Sequence, residues 1–283
     1  MSKTNRLFIF AGYDKDNLVA DSLLYYVKNL SKYGDVIVCM DNELDKIQQN
    51  KLKPYTICTI TGHHGEYDFG SYKRGFQYAR DKKILTKYDN VYLVNDSVFG
   101  PLFDIKNTLK SIEELKYDAS GIIIARHKTH SYMESWFIKL NKKIFMSDWF
   151  DKFISNVTTQ KTKNQVTIKY EHGLTKEIQT NNCSWGGLFT VYGRQTYNEP
   201  KSLFILGCPF VKRLCFTRHN GALGNQVKYI LNHSDFKAVL SIMTTANRLY
   251  GDKYMKVFLT SNPFKIIYRN ITYVLTKLKN KKS

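Results

Sequence analysis

Residues able to do chemistry concentrate in two stretches of this sequence, separated by a single predicted helix. The first runs His64-Gly65-Glu66-Tyr67-Asp68-Phe69-Gly70-Ser71-Tyr72-Lys73-Arg74-Gly75. It reads as a Gly-punctuated loop entering a helix, where backbone N–H groups and the helix dipole can meet a phosphate. The second runs Tyr88-Asp89-Asn90-Val91-Tyr92-Leu93-Val94-Asn95-Asp96-Ser97-Val98-Phe99-Gly100-Pro101. It reads as an apolar strand that ends in an amide, a carboxylate and a hydroxyl, followed by a tight Gly-Pro turn. Oxygen donors of this kind suit a hard divalent cation, Mg²⁺ or Mn²⁺, held against a diphosphate, with Asp96 as the metal-ligating carboxylate.

Other residue types support more than one reading. His63 and His64 are adjacent, so their side chains diverge, and loop polarity fits them better than shared metal ligation. Asp68 either faces a ligand or caps the helix expected from Tyr72. Tyr132, Trp136 and Trp149 either stack on a sugar ring or belong to the core.

These residues need a scaffold. Short apolar runs rich in Val, Ile and Tyr, at Leu7–Phe10, Val36–Met40, Tyr55–Ile60, Val91–Val94 and Gly121–Ala125, predict buried strands. Between them, Val19, Leu23, Tyr26, Val27 and Leu30 share one helical face, with Gly34 as its stop. Tyr72–Leu85 and Lys106–Leu115 predict two more helices. Strand–helix alternation implies an α/β class with a mostly parallel sheet flanked by helices, and such sheets bind ligands beyond the carboxyl ends of their strands. Those ends carry Gly12-Tyr13-Asp14, Asp41-Asn42 and Asn95-Asp96-Ser97. Further on, Glu171–Gln179, Asn225–Leu231 and Phe236–Leu249 predict a helical part packed on the sheet. The polar stretch Thr158–Gln165 reads as a long surface loop or a subdomain junction.

Composition narrows the classes. The chain has 283 residues, 43% of them hydrophobic, enough to bury one large core. Its start holds too short an apolar run for a secretion signal, and no apolar run is long enough to span a membrane. The five cysteines show no CxxC spacing, which disfavours a zinc site or disulfide framework and fits free thiols in a reducing cytoplasm. Net charge is +19, with a pI near 9.5, and attracts polyanions: nucleic acid, an anionic membrane or a diphosphate substrate. Helix-turn-helix, zinc-finger and RNP signatures are absent, so nucleic acid is not the expected partner.

At these motifs the sequence resembles the rhamnan synthesis protein F family, glycosyltransferases of polysaccharide and lipopolysaccharide assembly. The loop around Asp68–Lys73 and the strand ending in Asn95-Asp96-Ser97 carry the likeness. So do Ala11-Gly12-Tyr13-Asp14, Glu134-Ser135-Trp136-Phe137, Tyr170-Glu171-His172-Gly173-Leu174-Thr175 and Pro209-Phe210-Val211-Lys212-Arg213. The resemblance implies a GT-A-type sheet and transfer of a sugar, rhamnose or another deoxyhexose, from a nucleotide-diphosphate donor to a lipid-linked or growing surface glycan. It implies a donor site made of Gly12, Tyr13, Asp14, Asp41, Asp68, Gly70, Lys73, Asn95, Ser97, Lys212 and Arg213. Asn95-Asp96-Ser97 would replace the DxD metal motif with one full carboxylate, leaving Lys73, Arg74, Lys212 or Arg213 to neutralise the leaving diphosphate. Inverting transfer needs a base, for which Glu134, Asp148, Glu171 and His130 are candidates, Glu134 leading because it sits in a matching motif.

The organisation expected is a glycosyltransferase domain over 1–260, with a nucleotide-binding half to about 126 and an acceptor-side half beyond, then a basic amphipathic helix over 261–283. In that helix Phe264, Ile267, Tyr268, Ile271, Val274, Leu275 and Leu278 share a face, and Lys265, Arg269, Lys277 and Lys279 supply charge. It fits either an anionic membrane surface or a cap docked on the domain. The membrane reading places the protein in the cytoplasm, peripheral on the inner face of the cytoplasmic membrane. Rival functions are a sugar-phosphate transferase, or a non-catalytic basic protein binding membrane or nucleic acid.

Overall fold

A computed structural model describes residues 5–217, 223–268 and 270–271. These fall into two compact units. The first comprises residues up to 96 together with 105–193, and the second comprises 97–104 and the residues from 194 onward.

The first unit is a mixed α/β layer built on an eight-stranded sheet. Strands β1 (Arg6–Gly12), β2 (Asp35–Met40), β3 (Cys58–Thr61) and β4 (Asn90–Asn95) pair in parallel in the order β3-β2-β1-β4. Beyond β4 come β8 (Phe137–Asn141), then β6 (Ala119–Arg126), with β7 (Ser131–Met133) and β9 (Trp185–Tyr192) also paired to β6. Residues 119–121 of β6 pair with both β8 and β9, and residues 124–126 with both β7 and β9. β7 and β8 therefore follow one another along the same side of β6, interrupted at Glu134–Trp136, and both run against the other strands. The expected α/β class with a mostly parallel sheet is what the chain adopts.

Helices α1 (Asp21–Leu30), α2 (Lys46–Leu52), α3 (Tyr67–Asp81), α4 (Lys106–Glu114), α5 (Lys142–Phe145) and α6 (Asp148–Ser155) flank this sheet. A longer helical run follows: α7 (Lys163–Val166), a π-helical turn over Thr167–His172, and α8 (Gly173–Thr180). On α3 the residues Phe69, Tyr72, Phe76 and Ala79 are buried at helical spacing and join Leu7, Ile9 and Ile37 in the core. Gly75 lets α3 lie close to the sheet, because a Cβ there would collide with Ile9. Edge-to-face packing of Phe76 on Phe150 ties α3 to α6.

Several boundaries differ from the sequence reading, each for a local reason. The β3 strand starts at Cys58 rather than Tyr55, because Lys53-Pro54-Tyr55 forms a 3₁₀ turn that prolongs α2. α3 starts at Tyr67, so Asp68 and Gly70 lie in its first turn and not in a loop. α1 ends at Leu30, and Gly34 is needed instead because its Cβ would strike the Arg6 carbonyl oxygen. Most of Thr158–Gln165 is loop, but Thr162 and Gln165 form a reciprocal capping box that opens α7.

The second unit is mostly helical: α9 (Gln195–Asn198), α10 (Pro200–Ile205), α11 (Leu223–Asn232), α12 (Phe236–Tyr250) and α13 (Asp252–Phe258). Its one ladder among the described residues pairs β5 (Val98–Phe99) with β10 (Val211–Lys212). The core gathers Phe99, Phe216, Val227, Ile242 and Phe258. Residues 263–268 and 270–271 are helical, and the rest of the predicted terminal helix lies outside the described residues.

Candidate functional site

The carboxyl ends of β1, β2, β3 and β4 carry a connected set of polar groups. Asp41 follows β2, and its Oδ1 accepts the backbone N–H of His64 at 2.6 Å and of Gly65 at 3.0 Å. His63 Nδ1 also approaches that oxygen, at 3.1 Å. One carboxylate thereby fixes the loop after β3. Beside it, Asn42 Oδ1 accepts the Asp14 N–H at 3.1 Å, joining the ends of β1 and β2. Asp14 Oδ1 accepts the Asp16 N–H at 3.0 Å, shaping the turn after β1. Tyr13, 53% exposed, directs its N–H toward Asp96 Oδ2 at 3.4 Å. Asp14, Asp41, Asn42 and Asn95 are all buried, while Asp96 is half-buried at the end of β4.

α3 contributes from the next turn. Asn95 Nδ2 donates to Asp68 Oδ2 at 3.1 Å, tying the first turn of α3 to the end of β4. Tyr72, one turn on, donates its hydroxyl to the Ser135 carbonyl at 2.8 Å. Burial, then the Asp68 charge, pushes the Tyr72 phenol well up, so it stays a donor. Gly70 makes room for the loop, since a Cβ there would collide with Glu66 and His64.

His64 also titrates away from its usual range. Burial lowers its pKa to about 4, more than the neighbouring Asp41 charge raises it. Its hydrogen bonds name the neutral tautomer. The Glu66 N–H donates to Nδ1 at 3.1 Å, leaving Nε2–H to donate to Ser71 Oγ at 3.0 Å. The ring thus braces the loop against α3.

The basic residues expected here have other partners. Lys73 Nζ bonds Glu66 Oε1 at 2.9 Å and the Val157 carbonyl at 2.7 Å, and Arg74 bonds Glu66 Oε2 at 2.5 Å. Burial alone would raise Glu66; the Arg74 and Lys73 bonds overcome it and hold the carboxyl below its usual range. Ser97, Lys212 and Arg213 belong to the second unit. There the Arg213 N–H donates to the Ser97 carbonyl at 2.9 Å, the Lys212 ammonium lies 5.7 Å from the Tyr197 ring, and the Arg213 guanidinium lies 5.5 Å from that of Phe99.

Around Glu134 the chain brings two matching motifs together. Glu134 is buried and accepts the Trp136 indole N–H at 2.7 Å. The Ser135 N–H donates to Glu171 Oε1 at 2.6 Å, and the Met133 N–H to Thr175 Oγ1 at 3.2 Å. The Asn95 N–H donates to the Trp136 carbonyl at 3.2 Å, placing this segment beside the end of β4. Trp136 is core and Trp149 packs on the core, whereas Tyr132 is half-buried among imidazole rings. Asp148 stands in the first turn of α6, where its charge suits the helix dipole. Asn42, Glu66 and Ser71 stood within the quoted stretches but were given no role of their own. Asn42 adjoins Asp41 at a strand end, which was the available signal.

Among the described residues no group of three or more His, Cys, Asp or Glu side chains can enclose a metal. The oxygen donors at the end of β4 fit the looser alternative, a hard cation that keeps waters and shares a substrate's phosphates.

Comparison with known proteins adds the following. A Sinorhizobium fredii protein, y4gN, is 22% identical over 170 residues, which is 59% of this chain and 44% of the relative, so the chain spans less than half that protein's length. A Desulfovibrio desulfuricans G20 structure, provisionally described as a nucleotide-diphospho-sugar transferase, is 17% identical, with 88% of this chain and 99% of that one covered and a TM-score of 0.42. The TarS 1–349 structure of S. aureus is 8% identical, with 95% and 78% covered and a TM-score of 0.41. The family described as rhamnan synthesis protein F matches residues 36–277, which takes in the ends of β2, β3 and β4, the whole of α3, and both motifs that meet at Ser135 and Glu171. On that match the chain belongs to the rhamnan synthesis protein F family.

Proposed function

We propose that this protein is a glycosyltransferase with a GT-A-type donor half. It moves a sugar, rhamnose or another deoxyhexose, from a nucleotide-diphosphate donor to a lipid-linked or growing surface glycan. One observation carries the reading: Asp14, Asp41, Asn42, Asp68, Asn95 and Asp96 converge at the carboxyl edge of four parallel strands, each held by a hydrogen bond to another strand end, loop or helix. Such an edge is where open α/β sheets bind nucleotides.

In this reading Asp14 and Asp41 face the base and ribose, and Gly12, Tyr13 and the His63–Gly65 loop line the same edge. Asp68 and Asn95 position Asp96. Mg²⁺ or Mn²⁺ fits at Asp96 and, when bound, neutralises charge on the leaving diphosphate. Ser97, Lys212 and Arg213, which the resemblance assigns to donor binding, belong to the second unit, and the reading does not depend on them. Glu134 is the proposed base for inverting transfer. Its Oε2 accepts the Trp136 indole N–H, which fixes the carboxylate beside the end of β4.

Membrane attachment is part of the proposal. Phe264, Ile267, Tyr268 and Ile271 share one helical face and are 80%, 56%, 68% and 52% exposed. An exposed apolar stripe on a chain of charge +19 favours an anionic bilayer over a docked cap. No helix among the described residues is long and apolar enough to cross a membrane.

The test is a thermal-shift screen of nucleotide sugars and nucleoside diphosphates with and without Mn²⁺, followed by transfer from the best donor to an oligosaccharide acceptor. Stabilisation by a nucleotide sugar and release of its diphosphate on transfer are expected. A folded protein stabilised by no nucleotide would overturn the reading.

A further inference from the structure

We propose that His127, His130, Tyr132 and His172 form the platform on which a sugar ring of the acceptor glycan rests, a role that depends on the glycosyltransferase reading above. β6 and β7 are joined by a tight hairpin closed by the His127 N–H donating to the His130 carbonyl at 2.8 Å. The two imidazoles flanking the turn stack, with centroids 5.1 Å apart and planes 10° apart. Tyr132, on the same strand face as His130, lies near-parallel to both, at 5.7 Å and 7° from His127 and 5.9 Å and 18° from His130. His172, the last residue of the π-helical turn, closes on Tyr132 at 3.9 Å and on His130 at 4.8 Å.

The place of this cluster in the fold suits an acceptor. β6 runs parallel to β1–β4, so the hairpin projects from the sheet edge that carries the polar set. Tyr132 stands four residues before Trp136, whose carbonyl accepts from Asn95. At about 3.3 Å per residue, that places Tyr132 within roughly 13 Å of the end of β4, just past the proposed metal-side carboxylate.

Its chemistry suits a neutral sugar more than a phosphate or a lipid headgroup. The cluster presents ring faces, whose negative quadrupole attracts the polarised C–H groups of a pyranose. His127 and His130 are exposed and Tyr132 half-buried, so the rings are reachable. His172 is held toward its neutral form by burial and then by His130 and His127, so its ring face adds no positive charge of its own. Its Nε2 is buried with no hydrogen-bond partner, where nearly all such atoms are paired; a sugar hydroxyl admitted by a small ring movement would satisfy it. A π-helical turn ending on His172 adds to the case, since such turns concentrate at functional sites.

The experiment measures binding of a rhamnose trisaccharide to the full chain by calorimetry, with a saturating nucleoside diphosphate, alongside binding of that diphosphate alone. Tyr132→Ala and His130→Ala should each weaken trisaccharide binding about tenfold. Tyr132→Phe, which keeps the ring, should stay within about twofold, and diphosphate affinity should not change in any variant. The platform is overturned if Tyr132→Ala and His130→Ala bind trisaccharide like wild type. It is equally overturned if they lose the diphosphate in step, which would assign the rings to the nucleotide or to folding. Wild-type protein that binds diphosphate but no trisaccharide rejects the platform alone, whereas protein that binds neither rejects the parent reading with it.

Discussion

Asn95 donates its side-chain amide to Asp68 Oδ2 at 3.1 Å, so the strand-end motif and the helix-opening motif form one unit. Asn95 is 1% exposed, and its amide is therefore a fixed spacer between the first turn of α3 and Asp96. The departure from a DxD pattern at this position gains a physical meaning: an amide can bond Asp68, where a carboxylate would repel it.

Asp96→Ala and Asp68→Ala should each lower transfer on the order of 100-fold while the protein stays folded, the scale seen when one aligned charge-stabilising group is lost. Asn95→Asp should act in the same direction by placing two carboxylates together. Purified Asp96→Ala with near-normal turnover would remove Asp96 from the site.

Removing Asp41 should release the loop after β3. Asp41→Ala leaves the N–H groups of His64 and Gly65 without their acceptor, at a cost of about 1–3 kcal/mol in urea unfolding. Asp41→Asn retains an acceptor oxygen and should cost less. Nucleotide binding should weaken in both variants, more in Asp41→Ala, and equal urea midpoints for all three proteins would count against this role.

Stability should fall on mild acidification because of His64. Its pKa is about 4 in the folded protein against about 6.5 in the unfolded chain, so the unfolded chain takes the proton first. The stabilisation is whole above pH 6.5 and is lost progressively as pH falls toward 4, by about 1.4 kcal/mol for each unit of the difference. The lowered pKa of His172 acts in the same sense. Glu66, held below its usual range, adds stability that is lost as pH falls through its own lowered titration. Chemical denaturation at pH 7.5 and 5 should show the loss in wild type and a flatter dependence in His64→Gln; identical slopes would refute the assignment.

Metal should stimulate weakly. With oxygen donors at the end of β4 and no enclosing cluster among the described residues, Mg²⁺ or Mn²⁺ should raise nucleotide affinity yet leave on dialysis against chelator. Metal retained stoichiometrically after dialysis, seen by elemental analysis, would contradict this.

The terminal stripe gives a prediction separable from catalysis. Deleting residues 263–283 should abolish sedimentation with anionic vesicles and spare nucleotide binding, and Phe264→Ser with Ile267→Ser should weaken sedimentation in the full chain. Each Lys or Arg near the surface adds about 1 kcal/mol, so high salt should also weaken it. A truncated protein that binds vesicles as well as the full chain would rule out the tail as the anchor.

Much of the layout was legible in the sequence. Runs such as Val36–Met40 and Val91–Val94 are buried on both faces and bounded by turn residues, so composition over a few positions suffices to name them. The face of α1 carries its own 3.6-residue period. The strands β7, β8 and β9 escaped because they are short or carry Lys139, Gly186 and Gly187 within them. Lys139, for instance, is buried in β8 because its ammonium reaches the Tyr117 carbonyl at 2.8 Å, a partner that no local pattern announces.

By itself, then, the sequence determined the α/β alternation and the polar ends of β1, β2 and β4, since propensity, periodicity and turn chemistry act over neighbouring residues. Tertiary structure alone decided what those polar residues hold. It turned Lys73 onto Glu66 and the Val157 carbonyl, joined Ser135 to Glu171 across 36 positions, and gathered Tyr132 with three histidines from two separate segments. The direction of a side chain and the identity of its partner depend on which elements pack together, and contacts between distant segments leave no signature in the spacing of either one.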